Sequence, residues 1–169
     1  MIWEWTSRLK LWRVRKVGQR VRVFGRVWVH GDGEVELGDG VVLDARAAPI
    51  EIRTAQGGKL TLGDGVRVEG GVSFESEGRT VLGRGVTVRP FAKIIDNHFH
   101  SLTGDRHERP EPGEVVVEEG AVIETGAIVL PGAHIGAGTL VGPRAVVSKR
   151  VPAGVRVAGN PAKVEPLGR

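Results

Sequence analysis

Three histidines, His98, His100 and His107, fall in a polar stretch rich in Asp, His, Arg, Glu and Pro that runs from 96 to 116. Imidazole has an ordinary pKa of about 6.5, so at neutral pH it is mostly uncharged and still basic enough to take a proton from a hydroxyl or an amine. Each of the three could act as a general base, and each could equally be a solvated loop side chain. A base works best when its second ring nitrogen is held by a carboxylate or a carbonyl, and Asp96, four positions before His100, is the nearest acidic residue. The chain has no cysteine, which excludes disulfides, thiolate metal ligands and a cysteine nucleophile, and suits the cytoplasm.

The elements that must carry these residues are written in a short repeat. Gly-Asp-Gly occurs at 38–40 and 63–65, and related triplets stand at 83–85, 118–120 and 136–138. An aliphatic residue precedes each of them (Leu37, Leu62, Leu82, Val117, Ile135), and another follows six residues later (Leu43, Val68, Val88, Ile123, Val141). The longest uninterrupted run places Val117, Ile123, Val129, Ile135, Val141 and Val147 at every sixth position. A helix needs apolar residues every three to four positions, so a six-residue period cannot be helical. It suits a short strand and a corner, three of which close one coil of about 18 residues, with coils stacked as parallel strands about 4.8 Å apart. Glycine, aspartate and asparagine then take the corner conformations with positive φ.

Coils starting at Val17, Leu37, Leu62, Leu82, Val117 and Ile135 are 20, 25, 20, 35 and 18 residues apart. The largest insertion therefore coincides with the histidine-bearing stretch. Long structureless insertions in a compact domain are usually functional or disordered. A convex solenoid has no pocket of its own, so a loop leaning onto a neighbouring chain would create one.

Length and composition suit one domain without a membrane span or secretory signal. The chain has 169 residues, 40% of them hydrophobic, and no apolar run near 18 residues. The net charge of +4 is uneven, because residues 1–26 carry +7 and the remainder −3. Within 1–16, Trp5, Leu9 and Trp12 are spaced i, i+4, i+7 among basic residues, which predicts a short amphipathic helix. Its expected role is to cap the open end of the solenoid; contact with an anionic membrane surface is the lesser alternative. Without an aromatic platform or a basic groove, the charge does not point to nucleic acid.

From Asp96 to Val164 the chain resembles the hexapeptide-repeat acyltransferases, most of all the maltose and galactoside acetyltransferases and the sugar O-acetyltransferases of polysaccharide biosynthesis. The resemblance rests on the hexad run and on Ala158-Gly159-Asn160-Pro161-Ala162-Lys163. It implies an all-β fold, a left-handed parallel β-helix of about six coils. The short helix at 1–16 would precede it, the inserted loop at 96–116 would interrupt it, and a tail at 158–169 would follow the helix proper at 17–157. It also implies a homotrimer, acetyl-CoA as co-substrate, and a sugar or nucleotide-sugar acceptor.

The family's catalytic histidine precedes a Pro-Leu-Asp-Pro-x-x-Arg segment, and here His100 precedes Ser101-Leu102-Thr103-Gly104-Asp105-Arg106, so the role carries to His100. His98 is the second candidate, and Asp96 the residue that would orient the ring. For the coenzyme, Ser148 and Lys149 match the family's Thr-Lys pair near the adenosine 3′-phosphate. Lys163 matches the basic residue that closes the terminal motif with Gly159, Asn160 and Pro161, and Gly142 stands where a small residue admits the pantetheine arm. Two positions depart from the family pattern: Val122 replaces an aromatic, and Glu124 replaces a glycine.

Two other readings compete. Carbonic anhydrases of the same architecture bind a metal through three histidines shared between subunits, and His134 could join such a set. Their pair of histidines five residues apart is missing here, so no metal is expected. A catalytically inert trimeric scaffold is the other.

Overall fold

The computed structural model describes residues 13–98, 105, 107, 110–165. The chain winds as a left-handed parallel β-helix of about seven coils. One face is a seven-stranded parallel sheet, from Lys16–Val17 through Glu34–Leu37, Lys59–Leu62, Arg79–Leu82, Val115–Val117 and His134–Ile135 to Arg150–Val151. The second and third faces merge into one twelve-stranded sheet, because the early strands Arg22–Gly31 and Val42–Thr54 run continuously round the corner between them.

The six-residue period becomes a vertical ladder. Val17, Leu37, Leu62, Leu82, Val117 and Ile135 occupy one rung position in successive coils, and Val151 extends the ladder to a seventh. Leu62, Leu82, Val117, Ile123, Val129, Ile135 and Val141 are at most 1% exposed. In the later coils small residues two places before a ladder residue complete the interior, as at Ala121, Ala127, Ala133 and Ala145. At the Gly-Asp-Gly corners the aspartate hydrogen-bonds backwards, Asp39 Oδ1 accepting from Gln19 N at 2.7 Å and Asp64 Oδ1 from Asp39 N at 2.8 Å. The following glycines, Gly40 and Gly65, both sit at φ 68°, where a Cβ would be strained. Each corner is thereby tied to the coil before it.

Two expectations need correction. The coils number about seven, not six. No helix occurs among the described residues, and the end of the expected helix at 1–16 is not helical: Arg13 lies in a turn and Lys16 opens a strand paired with Glu36. Val14 is buried in the core, and Arg15 N donates to Val35 O at 3.0 Å. The backbone there is satisfied by the next coil, which leaves no i to i−4 bonding for a helix. Residues 1–12, with Trp5, Leu9 and Trp12, lie outside the described residues.

Candidate functional site

The insertion leaves the solenoid at Asp96, directly after the strand Lys93–Ile95, and rejoins it before Val115–Val117. Asp96 is fully buried. Its Oδ2 accepts from Ser76 Oγ at 2.7 Å, Thr80 Oγ1 at 3.0 Å and Gly78 N at 3.2 Å, while Oδ1 accepts from Glu77 N at 2.7 Å. Its own N–H donates to Glu75 O, and its carbonyl accepts from Gly113 N at 2.7 Å. A buried carboxylate is tolerated only when its oxygens are hydrogen-bonded. One residue therefore ties both ends of the loop to the corner of the preceding coil. Ser76 and Thr80 were legible only as an irregularity, since Thr80 stands in register with Leu60 and Val115 at a position otherwise aliphatic.

Of the histidines, His100 lies outside the described residues. His98 is exposed at the start of the loop, and His107 is exposed with its N–H on Asp105 Oδ1 at 2.8 Å, a local turn. His134 faces outward on the first face, between Val116 and Arg150 on the neighbouring strands. Its Nε2 is 2.6 Å from Glu118 Oε1, and Glu118 Oε2 accepts from Ala137 N at 2.9 Å. Among the described residues no three His, Cys, Asp or Glu side chains gather as a metal site would require.

The hydrogen bond from His134, and then that from Ala137, hold the Glu118 carboxyl below its ordinary value of 4.5. A depressed carboxylate stabilises the fold above its unfolded pKa and loses that contribution as pH falls through the folded value. His134→Ala should therefore lower the melting temperature slightly at neutral pH, with the difference closing in acid. The pair is solvent-screened, so the effect is small. Identical melting curves at pH 7 would show that the pair contributes nothing.

Four of the residues matched to the coenzyme come together although they lie in two separate segments. Ser148, Lys149, Pro161 and Lys163 line one cleft of about 230 Å³, with Val146 and Arg150 on its walls. The cleft exists because the chain folds back: Lys163–Val164 pairs antiparallel with Arg156–Ala158, and Ala162 N donates to Val146 O at 2.8 Å. Gly159, at φ 95°, starts the reversal, and the Asn160-Pro161 peptide is cis. Two lysines, an arginine and a hydroxyl around an otherwise apolar cleft suit a phosphate-bearing arm.

The cleft and the loop share an edge. A Cβ on Gly78 would touch Pro112, and one on Gly113 would meet the backbone of Gly132, so the end of the loop packs between the corners of its neighbouring coils. Leu130 N bonds to Val147 O, which puts the Ser148-Lys149 corner one coil below Gly132. A ligand anchored at the cleft thus has a direct path along this edge to the base of the loop.

Gly142 is on another edge, where a Cβ would meet Val157 O at 3.1 Å, so its smallness serves the stacking of the chain's own next coil. Val122 faces outward, half-buried, on the second face. Glu124 Oε2 accepts from the amide of Thr125 at 3.4 Å.

Residues 114–149 match the family model of the bacterial transferase hexapeptide, six repeats. No curated protein matches the chain in sequence. Among solved structures the chain is similar to AntD, an N-acyltransferase from Bacillus cereus, in complex with coenzyme A and dTDP-4-amino-4,6-dideoxyglucose. The identity is 16% over 95% of this chain and 87% of that one, with a TM-score of 0.77. It is similar also to PerB from Caulobacter crescentus in complex with CoA and GDP-perosamine, at 25% identity over 86% of this chain and 57% of that one, with a TM-score of 0.63. A hexapeptide-repeat acetyltransferase from Vibrio cholerae, complexed with acetyl-CoA, is 19% identical over 95% of this chain and 75% of that one, with a TM-score of 0.57.

Proposed function

We propose that this chain, a hexapeptide-repeat β-helix by sequence and by fold, is an acyl-CoA-dependent acyltransferase that modifies a hydroxyl or amine of a sugar or nucleotide sugar. The observation that carries the reading is the cleft in which Ser148, Lys149 and Lys163 converge on the same edge as the inserted loop. AntD and PerB, bound to coenzyme A and to nucleotide sugars or their nucleotides, support the choice of donor and of acceptor class.

In this reading acetyl-CoA supplies an acyl group already activated as a thioester. His100 takes the proton from the acceptor as its oxygen or nitrogen attacks the thioester carbonyl, and the same imidazole returns a proton to the departing thiolate. No covalent enzyme intermediate is needed. Backbone N–H groups of the loop or adjacent coil stabilise the developing oxyanion. Asp96 acts at one remove: with both carboxylate oxygens bonded to Ser76, Thr80 and two amides, it holds the ends of the loop that carries the base. The working form is a homotrimer in the cytoplasm, with loop and cleft of neighbouring subunits completing one site; nucleic acid plays no part.

A thiol-release assay with acetyl-CoA against a panel of amino sugars and nucleotide sugars tests the reaction. Lys149→Ala/Lys163→Ala should weaken coenzyme binding strongly, each charge-assisted contact being worth about 1.5–3 kcal/mol where well formed. Mixed trimers of that variant with His100→Ala chains should regain activity, since some interfaces then pair an intact base with an intact cleft. Mixed trimers that stay inactive would place base and cleft within one chain.

A further inference from the structure

We propose that the corner ladder Phe91, Gly126, Arg144 is a nucleotide-binding edge, with an aromatic base stacked on Phe91 and phosphate oxygens held by the Arg144 guanidinium. These residues occupy the corner between the second and third faces in successive coils. Phe91 N donates to Gly70 O, Gly126 N to Pro90 O and Arg144 N to Thr125 O. The backbone at this corner takes positive φ, at 77° for Gly71, 62° for Phe91, 69° for Gly126 and 57° for Arg144.

Glycine fills such positions almost everywhere else in the fold. Among the described residues thirteen glycines have positive φ against three other residues, and two of those three are Phe91 and Arg144, stacked on one edge. A side chain held in this region is strained, and such outliers cluster at functional sites. Neither residue is accounted for by the core. Phe91 is 58% exposed, the most exposed large hydrophobic among the described residues. Its ring lies against Gly71, where a Cβ would collide with it, so one aromatic face is backed by the solenoid and the rest is open.

Arg144 is exposed and has no ion-pair partner among the described residues. Its Cγ lies beside Gly126, which offers no side chain of its own. The backbones that carry the open ring and the guanidinium thus stand two inter-strand spacings, ~9.6 Å, apart, with the side-chain-free Gly126 between them. Stacking on an aromatic face and charge-assisted bonds to phosphate are the two contacts a nucleotide needs. Two residues beyond Arg144, Val146 enters the wall of the cleft described above. The inference deepens the acyltransferase reading, which brings two nucleotides to the protein: the diphosphate of the acceptor and the adenosine diphosphate of coenzyme A.

The test is calorimetric titration of the full chain with dTDP, UDP and GDP in turn, and separately with coenzyme A. Phe91→Gly and Arg144→Gly are the informative variants, because glycine suits the backbone there and the melting temperature should be held. Phe91→Gly should weaken nucleoside diphosphate binding about 5- to 100-fold, the range of base stacking on an aromatic ring, and Arg144→Gly about tenfold or more. Loss confined to coenzyme A would retain the nucleotide edge and identify the coenzyme as its occupant. Unchanged affinity of both folded variants for every nucleotide, or a wild-type chain that binds none, would overturn the proposal. The acyltransferase reading fails on a different result, the absence of thiol release while nucleotide binding still depends on Phe91.

Discussion

His100→Ala should lower kcat by about 10²- to 10⁴-fold while leaving coenzyme A affinity nearly unchanged, the signature of a lost general base. His98→Ala, in contrast, removes an exposed side chain at the start of the loop and should leave most of the activity. The two variants together separate the candidates, since both residues lie on the same insertion and any general disturbance of the loop would affect them alike. An active His100→Ala enzyme would remove His100 from the mechanism. An inactive His98→Ala enzyme beside it would transfer the role to His98.

Asp96→Ala should be among the most damaging single changes outside the aliphatic ladder. It strips an acceptor from the hydroxyls of Ser76 and Thr80 and from the amides of Glu77 and Gly78, in a site closed to water at the carboxylate. An orphaned buried polar group costs about 1–3 kcal/mol, so with several left together a loss of about 3 kcal/mol or more is expected. For a chain of this size that is roughly 6–12 °C in melting temperature. Asp96→Asn keeps the shape and one acceptor oxygen, and the hydroxyls of Ser76 and Thr80 can turn to accept from its amide, so it should lose less. Activity should fall with both, because the ends of the loop are no longer held. A melting temperature unchanged in Asp96→Ala would show that the cluster is not the loop's anchor.

The solenoid was legible because its physics is local and repeated. An aliphatic residue every sixth position and a Gly-Asp-Gly corner leave the backbone one regular way to bury that ladder, and the register from Val17 to Ile135 follows. The seventh rung at Val151 was harder to see, since Ser148, Lys149 and Arg150 break the hexad before it. The N-terminal segment departs from its local pattern for a different reason. The spacing of Trp5, Leu9 and Trp12 extended a helical period through residue 16, but Val14 is buried in the core, Val17 belongs to the strand ladder and the next coil takes up the backbone bonds. Two periodicities met there, and tertiary pairing decided between them.

The site divides along the same line. Composition and spacing alone marked the insertion and its histidines, and family resemblance marked Ser148, Lys149 and Lys163. What no linear pattern contained was the part of Asp96, whose acidic side chain looked like an orienting group for a loop histidine and is instead bonded inward to Ser76 and Thr80, up to 20 residues away. Nor could spacing show that Lys149 and Lys163 face one cleft, which depends on the chain reversing after Gly159. Hexad repetition determines which residues point inward, because every coil solves the same burial problem with the same period. Which outward residues meet was decided by stacking and by the folding back of the end, since those bring together atoms that have no fixed separation along the chain.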